Sequence, residues 1–132
     1  MNENSLFSEV LDIVVGKGAS SEDIEQAEGI LGTEFSYDYR EYLGKYGAVM
    51  FDGHELTGIS KAKQLDVVSV TLDQRKHYMA ENAKDMYVIE NLNIDGVIIW
   101  QSTDGTIYET QSNKRNKIYD SFAEYVESII ES

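Results

Sequence analysis

An α+β domain, a mainly antiparallel β-sheet flanked by several α-helices, is what this sequence predicts, and three observations predict it. Apolar residues recur at helical spacing in the first half of the chain and again at its end. Short β-branched and aromatic runs fill residues 86–111. Asp-Gly and Asn-rich turn signals separate those runs, and proline is absent from all 132 residues. No linker, internal repeat or low-complexity run interrupts the sequence, so residues 1–132 are expected to form a single domain.

Leu6, Phe7, Val10, Leu11, Val14 and Val15 share one helix face, predicting an N-terminal helix stopped by Gly16 and Gly18. Ser20, with Asp23 three residues on, is the expected N-cap of a helix whose stripe is Ile24, Ala27, Ile30 and Leu31 and which ends at Gly32. Its outer face is Glu22, Asp23, Glu25 and Glu28, acids suited to the positive end of the helix dipole. Ser36 then caps a helix packed through Tyr39, Tyr42, Leu43 and Tyr46 and closed by Gly47, leaving Asp38, Glu41 and Lys45 toward water. Phe51-Asp52-Gly53-His54 reads as a turn, followed by a brief strand within Glu55 to Ile59.

From Asp66 to Met79 the β-branched Val67, Val68, Val70 and Thr71 favour strand, while the spacing of Leu65, Val68 and Leu72 favours helix; a helix is expected. Tyr87 to Ile89, Val97 to Gln101 and Thr106 to Thr110 predict an antiparallel meander turned at Asn93-Ile94-Asp95-Gly96 and Thr103-Asp104-Gly105. Ser121-Phe122-Ala123-Glu124 is a capping box, opening a last helix with the stripe Phe122, Tyr125, Val126, Ile129 and Ile130. Trp100 and Tyr108 flank the Asp104-Gly105 turn and are expected to face the core or a cross-strand neighbour.

The net charge is −13, and its distribution is uneven: residues 1–60 hold 12 acids and 3 bases, residues 61–118 hold 8 of each, and residues 119–132 hold 4 acids and no base. Such a field repels phosphate backbones, so direct nucleic-acid binding is not expected and a basic protein partner is. No cysteine is present, which excludes disulfides, thiolate metal sites and a cysteine nucleophile. The N-terminus lacks a basic then apolar signal pattern, and no window approaches the about 18 apolar residues of a membrane span; a cytoplasmic protein that does not engage a membrane is expected.

Motifs that carry chemistry are missing. His54 and His77 lie 23 residues apart without metal-ligand spacing. Asn91-x-Asn93-x-Asp95-Gly96 resembles the start of a calcium loop, but its twelfth position is Ser102 rather than a bidentate Glu, so it reads as a hairpin turn. There is no GxSxG, GxGxxG or phosphate-binding GxxxxGK[ST], and serines stand where caps and turns need them. No enzyme, metal or cofactor is expected. Nine tyrosines are more unusual, with Tyr37, Tyr39, Tyr42 and Tyr46 crowding one helix, an arrangement that serves a core and a protein interface alike.

Three collinear signatures, Ile24-Glu-Gln-Ala27-Glu28-Gly-Ile-Leu31-Gly32, Tyr39-Arg-Glu-Tyr42-Leu43-Gly-Lys-Tyr46-Gly47 and Phe51-Asp-Gly53-His-Glu55-Leu56-Thr-Gly58-Ile59, resemble the SUKH superfamily. The later strands, the Asp104-Gly105 hairpin and the Phe122 to Val126 helix also fit, so the resemblance covers about residues 20–131. Many relatives carry a proline before the second helix, where this chain has Phe35-Ser36. The resemblance implies an α+β fold without a shared catalytic motif, and in bacteria a frequent role as an immunity protein against polymorphic toxins, many of them nucleases. On that expectation, acids pair with Lys and Arg of a basic toxin while aromatics supply affinity, and Tyr37, Asp38, Glu41, Asp52 and Glu55 are the expected contact residues. The alternative is a non-catalytic regulatory or scaffold module that binds a cellular protein.

Overall fold

The computed structural model describes residues 6–77, 83–112 and 114–131. In chain order the elements are β1 (Val14–Val15), α1 (Ser21–Leu31), α2 (Tyr37–Tyr46), β2 (Val49–Phe51), β3 (His54–Leu56), a 3-10 turn at Lys63–Leu65, α3 (Val67–His77), β4 (Met86–Asn91), β5 (Val97–Ser102), β6 (Ile107–Gln111), β7 (Lys114–Tyr119) and α4 (Phe122–Glu131). Two antiparallel sheets result, ordered β1-β2-β3 and β4-β5-β6-β7. The α+β class is therefore as the sequence indicates.

All three predicted N-caps form: Ser20 Oγ accepts from the Asp23 N–H, Ser36 Oγ from the Tyr39 N–H and Ser121 Oγ from the Glu124 N–H. Asp52 and Gly53 both adopt positive φ, the backbone a tight two-residue hairpin requires, so the expected turn joins two strands, β2 and β3. In the β4–β5 connection Asn93, Asp95 and Gly96 all have positive φ, confirming a turn at the calcium-loop look-alike. Trp100 lies opposite Tyr108 in the β5–β6 register and is fully buried.

The N-terminal helix does not form. Residues 6–9 are turns, Asp12 takes a left-handed φ of 56°, and Val14–Val15 pair with β2 instead. Phe7 alone of the six apolar residues is buried, against Tyr42, Tyr46 and Phe51. The β-branched pair gains a strand partner, which outweighs a short helix of modest propensity. In α3 the helix is as expected but its face differs: Val67 and Thr71 are buried and Leu72 is 40% exposed. Tyr78 and Met79 lie outside the described residues. Ile30, expected in the α1 stripe, is exposed, and β7 was not legible because its sequence, Lys-Arg-Asn-Lys-Ile-Tyr, is an outer edge strand with charged side chains in water.

One face of the four-stranded sheet packs on α2, α4 and the β2–β3 hairpin through Tyr39, Tyr42, Tyr87, Ile89, Ile99 and Phe122. The other face packs Met86, Val88, Ile98 and Trp100 against Val70 of α3. Arg75 of α3 donates to the carbonyls of Leu31 and Met86, fastening the end of α1 to the start of β4. Thr57 joins the two sheets: its N–H donates to the Ile89 carbonyl at 2.9 Å and its hydroxyl to the Val88 carbonyl at 2.8 Å.

Beside Thr57, Gly58 lies so near the Gly47 carbonyl oxygen that an added Cβ would sit 1.5 Å from it. Gly58→Ala is expected to lower stability by roughly 3 kcal/mol, because the contact is backbone and cannot yield by rotamer change. Urea unfolding of the two chains measures it, and a midpoint unchanged by the substitution would contradict the packing described.

Candidate protein-binding face

The five residues singled out by the sequence occupy α2 and the β2–β3 hairpin. Tyr37 opens α2 and is 78% exposed, while its neighbours Tyr39 and Tyr42 are buried. The division follows helix geometry, since Tyr39, Tyr42 and Leu43 face the sheet and Tyr37 faces away. The buried phenols are satisfied internally: the Tyr39 hydroxyl bonds Thr57 Oγ1 at 2.9 Å, and the Tyr42 hydroxyl donates to the Thr57 carbonyl at 2.9 Å. Burial raises the pKa of both well above the ordinary phenol value, so they stay neutral.

Asp38 is half-buried and its carboxylate works within the fold. One oxygen accepts from Ser36 Oγ at 2.6 Å, and the other from the Phe122 N–H at 2.8 Å and the Ala123 N–H at 3.3 Å. A side chain of α2 thus caps the N-terminus of α4, the place where a negative charge is most useful to a helix. Glu41 is exposed and borders a cleft of about 450 Å³ between α1 and α2, together with Ile24, Glu25, Glu28, Arg40 and Lys45. Glu28 is occupied there, bridging the Arg40 guanidinium at 2.8 Å and the Phe35 N–H at 2.8 Å.

Asp52 projects from the hairpin turn into solvent. Glu55 lines a second cleft of about 370 Å³, with Lys63, Ser69, Asp73, Asn91 and Asn93. The linings of the two clefts share no residue, so the five side chains are spread over adjoining elements rather than gathered in one pocket. Behind Glu55 the hairpin is held by Glu90, only 2% exposed, which receives His54 Nδ1 at 2.9 Å, the Glu55 N–H at 3.3 Å and the Tyr125 hydroxyl. Strand alternation would put Glu90 on the same face as Val88; the bulge between Val88 and Glu90 turns it to the face of Tyr125. Desolvation, with the Glu90 carboxylate next in weight, raises the Tyr125 pKa far above its usual value, keeping it a donor.

Sequence reasoning missed Glu25 and Asp73, the acids that share clefts with Glu41 and Glu55, because helix packing alone brings them there. It also missed Glu90; a lone acid inside a strand run was the available signal. Among the described residues no group of three or more His, Asp or Glu side chains converges as a metal site, and no helix is long and apolar enough to cross a membrane.

The arrangement defines a small α+β domain whose polar features are structural anchors inside and exposed acids outside. A family profile described as SUKH_5, SMI1-KNR4 cell-wall, matches residues 4–131, and the chain belongs to the SUKH superfamily. That family is associated with toxin immunity proteins, and its members are generally non-catalytic. A search of curated proteins finds no significant match.

Two substitutions separate the anchors. Asp38→Ala is expected to cost about 1 kcal/mol, the usual value of an N-cap, whereas Glu90→Ala is expected to cost about 3 kcal/mol by leaving the buried Tyr125 hydroxyl and the half-buried His54 imidazole without their acceptor. Chemical unfolding gives both values, and the reverse order would refute the roles assigned.

Proposed function

We propose that this chain is an immunity protein that binds a cognate polymorphic toxin, a basic nuclease, in the cytosol and blocks it by covering its active face. The observation that supports this reading is the charge: 12 acids against 3 bases in the first 60 residues, in a chain belonging to a family associated with toxin immunity. Blocking needs no turnover, so the reading requires no catalytic residue, metal or cofactor in this chain, and neither nucleic acid nor membrane is bound directly. Long-range attraction between the acids and the Lys and Arg of a phosphate-binding groove would speed encounter.

The contact residues we propose are Tyr37, Glu41, Asp52 and Glu55, with Asp38 among them as a support rather than a contact. Tyr37 offers a rigid amphipathic ring, and Glu41, Asp52 and Glu55 offer carboxylates open to a partner. Asp38 contributes from within, holding α4 against α2. The family description names the cell wall, which favours a non-catalytic regulatory or scaffold module as the second reading.

Affinity capture from native cytosol at low and high salt distinguishes the two. A basic protein released as salt rises, toxic when expressed alone and silenced by co-expression of this chain, is the expected result; a non-toxic partner would establish the second reading. With the toxin in hand, Glu41→Lys, Asp52→Lys and Glu55→Lys combined should slow association about tenfold at low salt and flatten its salt dependence. Stopped-flow kinetics reads both, and an association rate and salt slope left unchanged would remove the proposed face.

A further inference from the structure

We propose that the free edge of β1 is a self-association site at which a second copy of this chain pairs antiparallel, joining the two three-stranded sheets across a two-fold axis. Seven large apolar side chains stand exposed among the described residues, and three of them, Leu11, Val14 and Val15, fall within five positions at this edge. Among the described residues no strand pairs with the outer side of β1. Val14 lies opposite Met50 and Val15 opposite Val49, and the Gly16 N–H donates to the Ala48 carbonyl at 2.8 Å. In an antiparallel ladder successive residues point their N–H and C=O groups to opposite sides. Gly16 and Val14 therefore face β2, and Val15 and Ile13 turn theirs to the open side.

A two-fold axis at Val14 sets Ile13 of each copy opposite Val15 of the other. The outward backbone groups then pair, and apolar side chains meet apolar side chains along the seam. The flanking charges agree with this direction. Asp12 precedes the strand and Lys17 follows it, so antiparallel pairing brings the acidic end of one copy to the basic end of the other. Beside the strand lies a cleft of about 620 Å³ whose lining includes Val14, Met50, Ile59 and Leu65, with Lys17 and Lys61 against the single acid Asp23. In a molecule of net charge −13, this is a surface where two copies can approach without strong repulsion. The other outer edge, β7, carries Lys114, Arg115 and Lys117 and would set like charges together.

So small a seam gives a concentration-dependent dimer, and light scattering from about 10 µM to 1 mM protein tests it. The expected result is a mass rising from 14.9 kDa toward twice that value. Val14→Lys should weaken self-association at least tenfold and Lys17→Glu several-fold, with circular dichroism and the urea midpoint of each variant matching the parent to show an intact fold. A chain that keeps the monomer mass throughout, or a dimer that Val14→Lys leaves intact, overturns the proposal. Protection of the Val15 amide from hydrogen exchange only when a toxin is added would also overturn it, assigning the edge to that partner's strand.

Discussion

Buried hydroxyls must find acceptors, and the way Thr57 satisfies this requirement sets the arrangement of the rest. Its hydroxyl is committed as a donor to the Val88 carbonyl, so toward Tyr39 it can act only as an acceptor. Its carbonyl takes the Tyr42 hydroxyl, and its N–H reaches Ile89. One residue thereby fixes the facing side of α2, the end of the β2–β3 hairpin and the backbone of β4. The Tyr39 ring packs edge-on against Phe35 and Phe122 and tilted against Tyr87, so hydrogen bonding and apolar burial select the same geometry.

A second consequence concerns the acids. An unpaired buried carboxylate is costly, so those drawn inside are given donors: Asp38 the first amides of α4, and Glu90 an imidazole, a phenol and an amide. Glu28 of α1 is likewise held, by the Arg40 guanidinium and the Phe35 N–H, while Glu22, Asp23, Glu25, Glu41 and Asp52 stay in water, where they repel one another weakly and leave a field available to a partner. Interior and exterior acids are alike in composition and opposite in role; their surroundings decide which is which.

How much was legible follows from this division. Caps and turns are local, so Ser20, Ser36, Asp52-Gly53 and the capping box at Ser121 announced α1, α2, the turn before β3, and α4, while β2 on the other side of that turn went unread. Leu6 to Val15 misled because helical spacing is also produced by chance in an apolar stretch, and the distant strand partners Val49 and Met50 outcompeted it. β7 carried no alternation, since neither face of its charged half is buried. At the proposed binding face, Tyr37 and Glu41 could be placed on the outside of α2 from periodicity alone. That Asp38 would reach α4, 84 residues on, could not, because that contact exists only after the sheet is built between them.

The two outer edges show the same logic applied to association. β7 is six residues long, enough to template an unwanted strand, and it is guarded by Lys114, Arg115 and Lys117, with Arg115 stacked over Tyr108 and Lys117 paired to Asp120. β1 is two residues long and bears valine on both faces. Brevity limits what it can bind, so a charge there is not needed to prevent aggregation, and the apolar side chains can remain. An edge that is short, apolar and flanked by opposite charges favours antiparallel pairing with a copy of itself. The long basic edge admits none with a copy of itself. The asymmetry directs association to the end of the molecule away from the guarded strand.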